Sequence, residues 1–264
     1  MLISEVMLQQ TPVARVLPIW RQWVERWPQP RDLAAEVPGA AIRAWARLGY
    51  PRRALRLHQA ATVIVTEHNG QVPSDHAQLL ALPGVGGYTA AAVASFAFRQ
   101  RHAVVDTNVR RVLARSCEGR AQAAPALTRA ESALAQRLLP ADAERSARWS
   151  IAAMELGALI CTARAPACDQ CPVVNRCAWR LSGSPAYDGP VRRGQPWAGT
   201  DRQIRGAILA ALRASHGPVT HAALQHAVPN SALRDPFQRD RCIDGLVSDG
   251  LMEPLSDQLY RLPG

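Results

Sequence analysis

Up to about residue 180 the apolar positions recur at helical spacing, and no stretch alternates as a half-buried strand would. In GAAIRAWARL, residues 39–48, Ile42, Trp45, Ala46 and Leu48 share one face. Residues 51–68 open on Pro51, suited to a helix start, and continue through Leu55, Leu57, Ala60, Ala61, Ile64 and Val65. A short helix over 76–82 leads into a glycine-bearing turn. The stretch 88–98, YTAAAVASFAF, is apolar nearly all round, which predicts a central helix. Helices are expected over 107–116 and 143–160. Residues 182–200, SGSPAYDGPVRRGQPWAGT, are rich in Gly, Pro and Ser and read as a linker. Beyond it, 201–214 predicts an amphipathic helix, 221–228 and 239–250 two more, and 251–262 two short strands around a turn. That is the outline of a winged-helix module, which serves DNA binding and protein docking alike; both readings stay open.

Composition adds limits. The chain has 264 residues, enough for one large or two to three small domains. Apolar residues make up 48 %, which excludes a disordered chain. No apolar run approaches the roughly 18 residues of a membrane span. The opening MLISEVMLQQ has no basic region, so no signal peptide is expected, and reduced cytoplasmic thiols follow. The formal charge of +10 suits a polyanion, although all 31 basic residues are Arg in an Ala- and Pro-rich chain, as a GC-rich genome would also give. No lysine is present, which rules out a lysine Schiff base.

Four of the six cysteines crowd into CTARAPACDQCPVVNRC: Cys161, Cys168, Cys171 and Cys177, spaced C-x6-C-x2-C-x5-C. In a reducing compartment such a cluster suggests a metal over disulfides; four-thiolate zinc sites, however, usually show two C-x2-C pairs, and here there is one. Cys117 and Cys242 are expected to be buried small hydrophobes. In LPGVGGYT, residues 82–89, Gly84 and Gly86 flank Val85 in a tight turn before a helix, a place where backbone N–H groups can meet a phosphate, or a plain helix connection. In VVDTNVRRVLAR, residues 104–115, Asp106 reads as a helix N-cap and as a carboxylate at a cleft mouth, with Arg110 and Arg111 turned to the polyanion. In ISEVMLQQT, Glu5 stands among Ile3, Val6, Met7 and Leu8. Apolar company disfavours its charged form and suits a general acid; taken alone, Glu5 reads better as the exposed face of an amphipathic helix. Gln9 and Gln10 are flat and polar, suited to base edges or to wedging into a stack.

These stretches occur together and in order. SEVMLQQT, LGYPRRALRLH, LPGVGGYTAAAV, VVDTNVRRVLAR, MELGALICT and the cysteine loop resemble the helix–hairpin–helix glycosylases with an iron–sulfur cluster, most closely the MutY-type adenine DNA glycosylases. The likeness covers residues 3 to about 180. It implies a mainly α fold: a helical domain over 1–116 with the helix–hairpin–helix, an iron–sulfur domain over 117–181, the linker, and a winged-helix-like α+β module over 201–264. It implies a [4Fe–4S] cluster on the four cysteines, one per iron, with Arg164, Arg176 and Arg180 able to meet phosphates. It implies base-excision repair by a monomer in the bacterial cytoplasm, at the nucleoid. The reaction would be hydrolysis of the N-glycosidic bond of adenine opposite 8-oxoguanine or guanine in duplex DNA, after the nucleotide is flipped out. Glu5 would protonate adenine at N7, Asp106 would stay ionised against the sugar, and Tyr88 and Asn108 would support them. Gln10 and Tyr50 would stand at the opened pair, with Leu48 beside them and Glu155 near the cleft. The endonuclease III sibling places a Lys where Tyr88 stands here, so lyase chemistry is not expected. A rival is a non-enzymatic DNA-binding protein of the same fold.

The chain also departs from the pattern. Relatives carry a further stretch with a Pro-Trp-Arg before SEVMLQQT, which implies a misread start or a truncation here. Ile151 stands where many have a polar residue, and Pro51 replaces an aromatic. Residues 201–264 do not match the pyrophosphohydrolase-like domain that reads 8-oxoguanine in many relatives.

Overall fold

A computed structural model describes residues 1–189 and 197–264; the expected linker falls partly, at 190–196, outside the described residues. Along the chain run α1 (Leu2–Leu8), α2 (Val13–Arg26), α3 (Pro30–Ala34), α4 (Pro38–Ala44), α5 (Arg52–Glu67), α6 (His76–Ala81), α7 (Gly87–Phe96), α8 (Thr107–Ser116), α9 (Arg129–Leu138), α10 (Ala143–Glu155), α11 (Ala178–Leu181) and α12 (Asp201–Ala214). Then come β1 (Val219–Thr220), α13 (His221–His226), α14 (Gln238–Ser248), β2 (Glu253–Pro254) and β3 (Leu259–Arg261). The fold is mainly α, with one small antiparallel sheet of order β1-β3-β2 in which Val219 faces Tyr260 and Glu253 faces Arg261. None of the described helices is long and apolar enough to cross a membrane.

The chain divides into two compact units. One holds Ser74–Ala81 and the described residues from 85 to 189, with Met1–Leu2. Its centre is α7, in which every residue from Thr89 to Ser95 is buried, as an all-round apolar helix requires. Val109 and Leu113 of α8 pack with Ala135 of α9 and Ala153 of α10. The expected helix over 143–160 is α at first and then winds as a π-helix over Leu156–Ile160. Gly157 within it lets α8 approach closely: a Cβ there would lie 2.7 Å from Cβ of Asn108. Cys117, expected inside, is exposed, whereas Cys242 in the other unit is buried and its thiol is pushed up to about 11 by burial.

The second unit holds Ile3–Pro73, Leu82–Gly84 and the described residues from 197 onward. Trp23 meets the rings of Trp27 and Trp45 edge-on at centroid distances of 4.9 and 5.5 Å. The order α12-β1-α13-α14-β2-β3 is that of a winged helix. This module docks on α4. Arg213 of α12 donates to Ile42 O at 3.0 Å, and Arg43 donates to Arg213 O. The Gly39 N–H donates to Pro263 O at 2.7 Å, an approach that any Cβ at residue 39 would block. Burial pulls the Arg213 guanidinium down to about 10.

Candidate active site

The turn after α6 is tight for two reasons at Gly84. Its φ is +79°, and a Cβ there would meet Cβ of Arg56 at 2.6 Å. Gly86 is the N-cap of α7 and supplies no side-chain cap. The Val85 side chain, by contrast, is buried.

Asp106 is the N-cap of α8. Its Oδ1 accepts the Val109 N–H at 2.7 Å and its Oδ2 accepts the Asn108 amide at 2.8 Å. Asn108 in turn accepts from Arg111 Nη2 at 2.7 Å, and Arg111 donates to Cys161 O at 2.7 Å and Gly157 O at 2.6 Å. A single hydrogen-bonded string therefore runs from the carboxylate to the first cysteine of the loop. Burial lowers the Arg111 pKa. Arg110, expected to face a polyanion, is instead buried: it pairs with Glu131 at 2.9 Å and donates to Ala124 O and Ala126 O at 2.8 and 2.7 Å. Neither cation of the Arg110–Arg111 pair is a free surface charge. Tyr88, in the first turn of α7, packs against the cluster of Ala91, Ala92 and Val104. Glu155 ends α10 and is exposed, as is Ile151.

Glu5 lies in α1 and is only 9 % exposed, beside the buried Val6 and Met7. Gln9 and the exposed Gln10 follow as the chain leaves α1, with Gln10 left-handed at φ +54°. Tyr50, half exposed, sits in a second left-handed bend at φ +47°. Leu48, next to this bend in the chain, is buried. Arg53 joins these two stretches. It donates from Nη1 to the carbonyls of Val6, Met7 and Gln9 at 2.9, 3.1 and 2.6 Å, and from Nη2 to Thr11 Oγ1 at 3.1 Å and Gly49 O at 3.0 Å. In the sequence Arg53 looks like one more surface arginine of a helix start.

The four cysteines line one cavity together with Ile160, Val174 and Trp179. Arg115 braces it, donating to Cys161 Sγ at 3.4 Å and Thr162 O at 2.7 Å while lying over the Trp179 ring. Burial and the neighbouring thiols raise the Cys168 pKa, against a pull downward from Arg180. Among the described residues no three His, Cys, Asp or Glu side chains are gathered closely enough for a single metal ion. Four thiols lining one cavity supply the soft donor set that an iron–sulfur cluster takes.

Residues 3–137 match the family described as HhH-GPD superfamily base excision DNA repair protein, and residues 161–177 match the iron–sulfur binding domain of endonuclease III. Over all 264 residues the chain is 54 % identical to the adenine DNA glycosylase of Mycobacterium tuberculosis, covering 84 % of that protein. The chain belongs to this superfamily, among its adenine DNA glycosylases. It is 52 % identical to the adenine DNA glycosylase of Mycolicibacterium smegmatis over the same length, covering 87 % of it. Against that of Homo sapiens it is 43 % identical over 201 residues, 69 % of this chain and 36 % of the human protein. A thermostable thymine-DNA glycosylase structure superposes at a TM-score of 0.61 with 29 % identity, over 69 % of this chain and 83 % of that one. An endonuclease III–DNA complex gives 0.60 with 26 % identity, over 69 % and 83 %. The cysteines of this glycosylase carry the iron–sulfur motif of that domain, and the cavity they line fits the [4Fe–4S] cluster that the motif implies. Its positive surplus is confined to residues 1–200, since residues 201–264 hold seven arginines and seven acids.

Proposed function

We infer that this protein is a monofunctional adenine DNA glycosylase that hydrolyses the N-glycosidic bond of adenine opposite 8-oxoguanine or guanine in duplex DNA. The reading is carried by likeness to adenine DNA glycosylases along the entire chain, with carboxylates present at Glu5 and Asp106. A base within a duplex is out of reach, so the nucleotide must be flipped out, at a cost of a few kcal/mol. In this reading the exposed Gln10 and the half-exposed Tyr50 fill the opened pair, Gln9 reads beside them, and Leu48 supports the bend from the core. Phosphates meet the backbone of Gly84, Val85 and Gly86 at the start of α7.

Glu5 gives its proton to the departing adenine, and Asp106 stabilises the positive charge that develops on the sugar. The Val109 N–H and the Asn108 amide hold the Asp106 carboxylate in one orientation, so none of that order has to be found during the reaction. Tyr88 and Asn108 shape the pocket. When bound, the cluster is held by Cys161, Cys168, Cys171 and Cys177 and cross-links the loop between them, supplying neither proton nor nucleophile. Strand cleavage through a lysine imine is opposed by the chain itself, which has no lysine. The neutral, docked module of residues 201–264 serves as a brace on α4 in place of a DNA reader. The protein acts as a monomer on the bacterial nucleoid.

The test is single-turnover release of free adenine from a duplex carrying one A·8-oxoguanine or A·G pair. Glu5→Gln should slow release by about 10²–10⁴-fold, the usual worth of a general acid, with duplex affinity within fivefold of wild type. Loss of binding along with release would make Glu5 structural, and a cluster-loaded wild type that frees no adenine would refute the activity.

A further inference from the structure

Arg53 stands in the first turn of α5 and is 7 % exposed. The acceptors named above for its five hydrogen bonds are four backbone carbonyls and one hydroxyl; none is a carboxylate. Among the described residues its Nε has no partner, and burial lowers its pKa. A buried cation without a counter-charge is costly, and a well-packed apolar side chain would serve stability better. What the guanidinium adds is geometry. Nη1 collects carbonyls at the C-terminal end of α1, where backbone acceptors have run out of helical donors and the helix is partially negative. Nη2 reaches Thr11 and the bend at Gly49. The flat face of the group lies over the rings of Trp45 and Tyr50, at 5.2 and 5.3 Å. The two stretches tied in this way hold left-handed residues that are not glycine: Gln10 at φ +54°, Ala46 at +49° and Tyr50 at +47°. Such conformations persist only where the surroundings impose them.

We propose that Arg53 is a positioning residue for adenine excision, locking the stretch that bears Glu5, Gln9 and Gln10 to the bend that bears Tyr50. The inference rests on the roles proposed for those four residues. Arg53 takes no part in proton transfer; it fixes where the acid and the inserted side chains stand with respect to one another. A planar fork is what the task needs, because two nitrogens on one rigid plane must serve two separate backbone stretches at once.

Arg53→Lys tests this. It keeps the charge and most of the stem but has one nitrogen, which cannot hold both stretches. In the cluster-loaded variant, adenine release should fall about a hundredfold, the usual cost of misplacing reacting groups by about 1 Å. Duplex affinity should stay within fivefold. Amide exchange in the DNA-free variant should accelerate in residues 6–12 and 46–50 and stay unchanged in α8. A merely structural role would lower the melting temperature and leave the rate per folded molecule within threefold of wild type; that result, or exchange raised evenly throughout the chain, overturns the proposal. A second measurement needs no variant. In wild type the two stretches should open as one unit with the same exchange free energy, and separate opening overturns the lock even if Arg53→Lys does not fold. If the wild type frees no adenine, the activity reading fails by itself, and the exchange pattern still decides whether Arg53 locks these stretches.

Discussion

Arg110 and Arg53 are both nearly lost to solvent, yet they are buried in opposite ways. Arg110 in α8 has a counter-charge: Glu131, itself 4 % exposed, accepts from it at 2.9 Å. Arg53 in α5 has carbonyls, a hydroxyl and two aromatic faces. The first is a closed pair that staples α8 to α9 and could be replaced as a pair by apolar side chains. The second has its charge balanced only by dipoles that belong to the segments it holds, so it cannot be exchanged without releasing them. Burial alone does not distinguish a staple from a positioning group; the chemistry of the acceptors does.

The largest effect should come from breaking the pair. Glu131→Gln leaves Arg110 charged in the interior and should lower stability by about 3–5 kcal/mol, a drop of roughly 10 °C in melting temperature for a chain of this size. Adenine release per cluster-loaded molecule, measured well below the melting point, should stay within twofold. Arg53→Lys should behave in reverse, with a modest melting shift and a large loss of rate. If Glu131→Gln lost rate as steeply as Arg53→Lys, the contrast would collapse and Arg110 would return to the DNA-binding role that the sequence suggested.

Acid separates the two further. Burial would raise the Glu131 pKa, but the Thr128 N–H, the Arg110 guanidinium and the Ala124 N–H outweigh it, and the net shift is downward from 4.5. A depressed carboxylate contributes stability that is complete above its unfolded pKa and disappears as pH falls through the lower folded value. The melting difference between wild type and Glu131→Gln should therefore be constant from neutral pH down to about 5 and shrink below 4.5. None of the groups that Arg53 donates to titrates in that range, so the melting difference for Arg53→Met should stay flat. A parallel decline in both would show an acid partner acting on Arg53.

Much of this was legible in the sequence, and what was missed has one physical origin. Local signals were sufficient for α8 and α12, which span the residues their periodicity predicts, and for Asp106 as a cap, because caps and helical faces are set by neighbours within four residues. The helix–hairpin–helix and the cluster loop were legible through the family resemblance that LPGVGGYT and the four cysteines carry. Strand β1 escaped because two residues, Val219 and Thr220, are too few to alternate. The close approach of Gly157, inside the π turn at Leu156–Ile160, to Asn108 joins residues almost fifty positions apart, and so has no local signature. The polyanion-facing reading of Arg110 fails for the same reason, and Arg53 draws no notice in the sequence at all. Arg53 meets Val6 and Thr11, and Arg110 meets Glu131, only after long-range packing, while a sequence window shows each simply as a basic residue on a helix.

The smallest expected effect is the most discriminating. Thr11 is buried, and its Oγ1 accepts from Arg53 Nη2 while lying 3.2 and 3.4 Å from the carbonyls of Gln9 and Leu48. Thr11→Val keeps the shape and removes one acceptor from a charged donor, worth about 1.5–3 kcal/mol. Nη1 would still hold the end of α1, and Nη2 would still hold Gly49. One strand of the lock would slacken and the remainder would persist, so adenine release should fall only about threefold to tenfold, between wild type and Arg53→Lys. Combining the two substitutions should cost little more than Arg53→Lys alone, because with the fork gone the hydroxyl has no guanidinium left to accept from. Full additivity in that cycle would mean that Thr11 shapes the α1 exit independently, and the guanidinium would no longer be the group on which both stretches converge.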